Sequence, residues 1–297
     1  MKRLSIIIVT YNSERDIYDC LSAIRQYSDL PDSELEIIVT DNNSRQTNAM
    51  FTEIRNRFGD DIILLKNMSN GGYGQGNNMG IRQASAPIIL IMNPDVRLME
   101  PVFQTILKAF DGDSRLGMYG MKQMLSPTET STNSFSCTSM MNGYLATILT
   151  AFANRSNHYI ARYMYLSGSC FFIRKQMFEE IGLFDEDIFM YGEEDDIHYR
   201  MLKRFDCHIT YNPRLHYIHL SKERQPDLEY EKRVFNSVCS MLQKKGYPKE
   251  SFINNRMQST NIQLWREQLR TILGKGNPAL MKVLKDFRLY LKNPLCQ

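Results

Sequence analysis

The sequence predicts an α/β protein: a mostly parallel central sheet flanked by helices, followed by a helical C-terminal extension. Three observations carry that expectation. Short β-branched apolar runs alternate with stretches of helical apolar spacing, which implies right-handed βαβ units. Polar residues follow several of these runs, at the strand ends where open α/β sheets bind ligands. The charge then changes sign: residues 1–213 carry 20 Lys and Arg against 26 Asp and Glu, and residues 214–297 carry 16 against 7.

Leu4–Val9 (LSIIIV) reads as a strand buried on both faces. Ser13 suits a helix N-cap, and Ile17, Cys20, Leu21 and Ile24 form a helix stripe behind it. Leu35–Thr40 is a second buried strand, and Met50, Phe51, Ile54 and Phe58 mark a second helix. Ile62–Leu65 and Pro87–Met92 are the third and fourth strands, with a short helix near Asn77–Ala84 between them. Pro101 suits the first helical position of a segment carrying Val102, Ile106, Leu107 and Phe110. Ser126–Ser139, rich in Ser and Thr, reads as a loop. Asn142–Ala153 is apolar but only 12 residues long, either a core helix or an interfacial one. Tyr165–Ile173 reads as a strand, Lys175–Ile181 as a helix and Thr210–His219 as sheet-like. Helices are expected near 227–245, 260–273 and 279–291.

Composition narrows the function classes. At 297 residues, 43% hydrophobic and 23% charged, the chain is neither disordered nor fibrous, and its length suits about two domains. The division expected is 1–222 and 223–297. Six scattered cysteines (Cys20, Cys137, Cys170, Cys207, Cys239, Cys296) without a CxxC pair argue for reduced thiols in a cytoplasmic setting. No apolar run reaches about 18 residues, so no transmembrane helix is expected, and the opening MKRLSIIIVTYN is too short for a signal peptide. Zinc-finger spacing and RNA-binding signatures are lacking, so no nucleic-acid partner is expected. The basic tail fits an anionic membrane surface, with Met281–Arg288 as an amphipathic contact, or else a solvated helical face.

Five motifs and a pair of histidines carry chemistry. Thr10-Tyr11-Asn12 follows the first strand. Asp41 follows the second, where a carboxylate can bond a base or ribose, or close an Asx turn. Asn67–Ile81 holds five glycines and four asparagines, including Asn70, Gly71 and Asn78. It suits close approach to a phosphate at the N-terminus of the following helix, or a flexible turn. Asp95, in Met92-Asn93-Pro94-Asp95, can hold a hard divalent cation that takes its other ligands from water and phosphates, or belongs to a turn. Gly192-Glu193-Glu194-Asp195-Asp196 places four acids in a row. At about 100° per residue, Glu194 shares a face with Ile197, Met201 and Phe205 while Asp196 points away. A carboxylate on an apolar face needs a task or a partner. His216 and His219 end the last sheet segment, and either could join a metal bound at Asp95.

In this order the motifs resemble the inverting family 2 glycosyltransferases of the GT-A (Rossmann-like) fold, most closely the rhamnosyltransferase-like branch of bacterial surface-polysaccharide synthesis. The likeness spans roughly residues 3–222. It implies donor binding by Thr10, Tyr11, Asn12, Asp41, Asn70, Gly71, Asn78 and Asn93. It implies Mg²⁺ or Mn²⁺ at Asp95 and His219, with His219 preferred to His216 by its spacing from Pro213. Glu194 falls at the catalytic-base position, as Glu rather than the commoner Asp, with Glu193, Asp196 and Gly168 at the acceptor or in support. The implied partners are a nucleotide-diphosphate sugar and a saccharide or lipid-linked saccharide acceptor. An inactive nucleotide-sugar binder and a nucleotidyltransferase are the alternatives. The second lacks a Gly-rich Lys/Arg loop near the N-terminus.

Overall fold

A computed structural model describes residues 1–141, 143–220 and 225–292. Asn142, Cys296 and the expected boundary between residues 222 and 223 lie outside the described residues.

The first half folds as its apolar pattern requires. It runs β1 (Leu4–Thr10), α1 (Glu14–Tyr27), β2 (Leu35–Asp41), α2 (Thr47–Phe58), β3 (Ile62–Lys66), α3 (Gly72–Gln83), β4 (Ile88–Met92), β5 (Val96–Leu98) and α4 (Phe103–Gly112). The second half continues with β6 (Leu116–Met124), β7 (Phe135–Cys137), α5 (Gly143–Arg155), β8 (Met164–Leu166), β9 (Cys170–Arg174), α6 (Lys175–Glu180), α7 (Glu193–Arg204) and β10 (His208–His219). The extension is α8 (Leu228–Lys244), α9 (Lys249–Ile272) and α10 (Pro278–Leu291).

Eight strands form one sheet in the order β3-β2-β1-β4-β9-β6-β10-β5, and β7 with β8 makes a separate ribbon. Only β9 and β5 run against the other six strands of the sheet. Leu4, Ile6, Ile7 and Ile8 of β1 are fully buried, because both faces are covered. One face packs Ile17, Leu21 and Ile24 of α1 with Ile54 of α2 and Phe103 and Ile106 of α4. The other packs Ile81 of α3 with Phe178 of α6 and Ile197 and Met201 of α7. In the extension, Phe235, Ile253, Phe287 and Leu291 form a small core of their own. No described helix is long and apolar enough to cross a membrane.

Several expectations are corrected. β6 (LGMYGMKQM) has no Val, Ile or Thr, so its strand state comes from its neighbours β9 and β10 rather than from local propensity. The Ser/Thr-rich loop contains β7, held by buried Phe135 opposite Leu166. The single strand expected over Tyr165–Ile173 breaks at Ser167–Ser169 into β8 and β9, which join different sheets. α3 begins at Gly72, five residues early, and α9 at Lys249 rather than 260. Pro101 precedes the N-cap Val102 instead of opening α4, and Ser13 sits at the N-cap of α1 without a side-chain cap bond. Leu284, Phe287 and Leu291 bury the apolar face of α10 inside the extension, so Met281–Arg288 does not present that face outward.

Candidate active site

The carboxyl ends of β1 and β2 meet in a polar knot. Asp41 is fully buried, and its carboxylate accepts from Thr10 Oγ1 (2.9 Å), Ser44 N (2.9 Å), Ser44 Oγ (2.5 Å) and Thr47 Oγ1 (2.5 Å). The turn reading therefore describes Asp41: with four donors from its own chain, it shapes the loop. Thr10 is buried in the same knot. Asn12, at φ 52°, donates its N–H to Ser44 Oγ (2.8 Å) and accepts from Arg45 N (3.1 Å). Tyr11 between them is half-exposed and stands at the rim.

The Gly/Asn segment is less open than expected. Asn70 Oδ1 accepts from Gly72 N (3.0 Å), and Tyr73 N donates to Phe189 O (3.0 Å), so the first N–H groups of α3 are already bonded. Gly72, at φ 91°, lies against residue 189 so closely that a Cβ would stand 2.1 Å from Phe189 O. Gly71 is the N-cap, with Gln75 against it. Asn42 donates to Gly72 O (2.8 Å) and accepts from Asn67 (3.2 Å), which also donates to Gln75 Oε1 (2.5 Å). Asn78 is corrected: it donates to Phe184 O and Glu186 Oε1 (2.9 Å each) and accepts from Phe184 N (3.0 Å). It is buried as a clamp between α3 and the loop after α6, with its amide N–H groups bonded to the chain itself.

Asp95 and His219, distant in sequence, are brought together. β10 pairs with β5 so that His219 lies opposite Val96, and His219 Nε2 comes within 3.3 Å of Asp95 Oδ1. Both side chains are about one-quarter exposed, at 24% and 27%. A carboxylate oxygen and an imidazole nitrogen converging on an accessible point fit a divalent cation that completes its shell from diphosphate and water. Among the described residues no three acidic, His or Cys groups cluster as a self-sufficient site. His216 bonds Glu100 Oε1 through Nδ1 (2.8 Å) and through its N–H (2.8 Å), away from that pair.

Glu194 is the second residue of α7, which starts sharply at Gly192 (φ 109°). Its side chain lies over Gly168, where a Cβ would stand 2.0 Å from Oε1. Burial raises its pKa above the usual carboxylate value, and the charge of Asp195 adds to this. N–H groups of its own residue, Gly192 and Gly168 act the other way. Gly168 O accepts the Tyr73 hydroxyl (2.6 Å), and Ser169 O accepts Asn93 N (2.8 Å). Two adjacent residues thus join the base candidate to the loop that carries Asp95.

The neighbouring acids do other work. Glu193 is buried with Oε1 unpaired, and burial together with the Glu194 charge pushes its pKa well above the ordinary value. Asp196, expected to point away from the apolar face, is instead buried: Arg200 grips it (2.6 Å) while donating to Ile181 O (2.5 Å) and Leu183 O (2.7 Å). Asp195, for which no role is expected from its spacing, accepts from Ser139 N (2.8 Å) and pairs with buried Lys245 at 3.6 Å. A cavity of about 380 Å³ between α5, β7, α8 and α9 opens beside it, lined by Ser136, Ser139, Tyr165, Phe235 and Arg256. The negative charges of Asp195 and Glu194 both act on the Tyr165 phenol.

An α/β sheet with a polar knot at its strand ends, a carboxylate–imidazole pair and a shielded carboxylate has the parts of an enzyme active site. The chain belongs to glycosyl transferase family 2, whose model matches residues 5–182. It is 31% identical over 209 residues to a low-salt glycan biosynthesis hexosyltransferase, Agl10, of Haloferax volcanii, covering 66% of this chain and 61% of that protein. It is 32% identical over 96 residues to the poly(ribitol-phosphate) beta-N-acetylglucosaminyltransferase TarS of Staphylococcus aureus, covering 32% of this chain and 16% of that one. The chain thus spans less than two-thirds of either relative. The fold matches the mannosyltransferase PcManGT of Pyrobaculum calidifontis, solved with GDP-Man and Mn²⁺, at a TM-score of 0.60 and 15% identity over 99% of this chain and 81% of that one. It also matches S. aureus TarS 1–349 with UDP, at 0.55 and 16% over 87% and 71%. These two structural likenesses establish the GT-A-type fold.

Proposed function

We propose that the protein transfers a sugar from a nucleotide-diphosphate sugar to a saccharide hydroxyl, on a free or lipid-linked acceptor, with inversion at the anomeric carbon. The observation that supports this is the Gly168–Ser169 step: Gly168 lies against Glu194, and Ser169 O accepts from Asn93 N, two residues before Asp95. Glu194 takes the acceptor proton as the acceptor oxygen bonds to the anomeric carbon and the bond to the diphosphate breaks on the opposite face. Its raised pKa brings it nearer to neutrality, where a base works best. Tyr11, Asn12 and the Asp41-organised loop form the nucleotide side. Asp95 and His219 would hold Mg²⁺ or Mn²⁺, which would neutralise charge on the diphosphate. The acceptor enters through the cavity beside Tyr165 and Ser139.

Residues 1–222 form the catalytic domain and 223–297 the basic extension. Rhamnose is the sugar to test first, on the likeness of the acceptor half to rhamnosyltransferase-like enzymes. Calorimetry with dTDP-rhamnose, UDP-hexoses and GDP-mannose, with and without Mg²⁺ or Mn²⁺, tests the reading. One donor should bind in a metal-dependent way and lose that dependence in Asp95→Ala. Equal affinity with and without metal in both proteins overturns the metal assignment, and no binding of any donor overturns the function.

A further inference from the structure

Helix α5 is apolar nearly all round (GYLATILTAFANR) and carries no charge before Arg155. A helix of that composition normally lies in a core or a membrane. Yet its buried residues are Ala153 and Asn154, while Leu145, Ile148, Leu149 and Phe152 face outward, Phe152 at 71% exposure. The patch continues off the helix. Leu149 and Phe152 share an apolar groove of about 500 Å³ with Ile160, Tyr163 and His158. Ile160 and Tyr163 are themselves exposed.

The charge along this stretch of chain has one sign. No Asp or Glu occurs between Glu129 and Glu179, while Arg155, His158 and Arg162 flank the patch. Exposed aromatic and aliphatic side chains in a cationic, acid-free stretch of chain match the face of a helix that lies in a lipid headgroup layer. A two-fold dimer through the same face would set Arg155 and Arg162 of each copy against like charge.

We propose that α5, with the Ile160–Tyr163 segment, is the docking face for an anionic phospholipid membrane. The proposal builds on the reading of a lipid-linked acceptor and says where that acceptor reaches the enzyme. The inner side of the same helix, through Ala146, Thr147 and Thr150, lines the cavity that ends at Tyr165 and Ser139. Lying along the bilayer surface, α5 would place that cavity next to the headgroups, with only the saccharide leaving the lipid.

Trp265 is the sole tryptophan and lies on α9, so the test moves the indole. The full chain carrying Phe152→Trp and Trp265→Phe is mixed with vesicles of equimolar phosphatidylglycerol and phosphatidylcholine, and separately with phosphatidylcholine alone. The introduced indole should shift to the blue and be quenched by brominated acyl chains in the anionic vesicles only. Phe152→Glu should weaken partitioning by about tenfold or more. An unshifted indole in protein that nevertheless pellets with anionic vesicles overturns the proposal and puts the contact on the basic extension. A blue shift without vesicles, in protein sedimenting as a dimer, overturns it in favour of a second copy. Donor binding by calorimetry is read on the same samples. Its failure would strike the transferase reading and leave the fluorescence result intact.

Discussion

The Glu194 carboxylate occupies the space above Gly168 that any β-carbon would need, with Oε1 2.0 Å from where that carbon would stand. Gly168 is also bonded to the donor half, because its carbonyl takes the Tyr73 hydroxyl at 2.6 Å. One glycine therefore links the Glu194 side chain to the Gly/Asn segment.

Gly168→Ala should displace Glu194 rather than Tyr73, because the clash falls on the carboxylate side chain. Turnover should fall by about 10²–10⁴, the range expected when a general base is lost. Donor affinity by calorimetry should change little, since Asp95 and the Asp41 knot are untouched. Near-normal turnover would show that the base is elsewhere.

Glu194→Gln keeps the shape and removes the proton acceptor, so it should lower turnover over the same range with donor affinity preserved. In the parent enzyme the rate should fall as pH drops through the raised pKa of Glu194, giving an acid limb above the ordinary carboxylate range. Glu194→Gln should lose that limb. Glu193→Gln and Asp196→Asn should retain it, since Glu193 is shut in and Asp196 is held by Arg200.

Glu193 carries a stability prediction of its own. Its folded pKa is raised well above the unfolded value, by burial first and the Glu194 charge second. The folded state therefore holds the proton more tightly than the unfolded chain. Wild-type stability should decline as pH rises from the unfolded pKa towards the folded one. Glu193→Gln lacks this titration, so its advantage in urea denaturation should grow with pH across that window. A constant difference between the two proteins would contradict the burial of this carboxyl.

The parallel strands were legible because a strand buried on both faces must be apolar throughout, as LSIIIV and LEIIVT are. The helix phase also marked Ile197 and Met201 as buried, which they are, but it did not foresee that Glu193, Asp195 and Asp196 are more deeply buried than Glu194. β6 was hidden because it carries no β-branched residue, and its strand state depends on partners far away in sequence. The closeness of Asp95 and His219 could be conjectured from strand ends but is set by the β5–β10 pairing. Asp195 escaped notice for another reason. Its partners are Ser139, 56 residues earlier, and Lys245, 50 residues later, and no local spacing signals either. Asn78 misled because a polar side chain in a Gly-rich segment reads the same whether it bonds a ligand or the chain's own Phe184.

A buried ion pair ties the extension to α7. Lys245, just past α8, and Asp195 of α7 have side chains 2% and 1% exposed, and the Lys245 ammonium also donates to Asp195 O at 3.1 Å. Burial lowers the Lys245 pKa while the Asp195 and Asp196 charges raise it, so the lysine depends on those carboxylates to stay charged. Lys245→Met would leave Asp195 buried without its countercharge, a loss that typically costs about 3–5 kcal/mol. Asp195→Asn together with Lys245→Met removes both charges, keeps an amide acceptor for Ser139 N, and should recover most of the loss. Urea denaturation of the two single variants and the double gives the coupling energy directly. Because Asp195 adjoins Glu194, Lys245→Met should also lower turnover while donor affinity holds. Strictly additive stability losses with unchanged turnover would show that the extension and α7 are energetically independent.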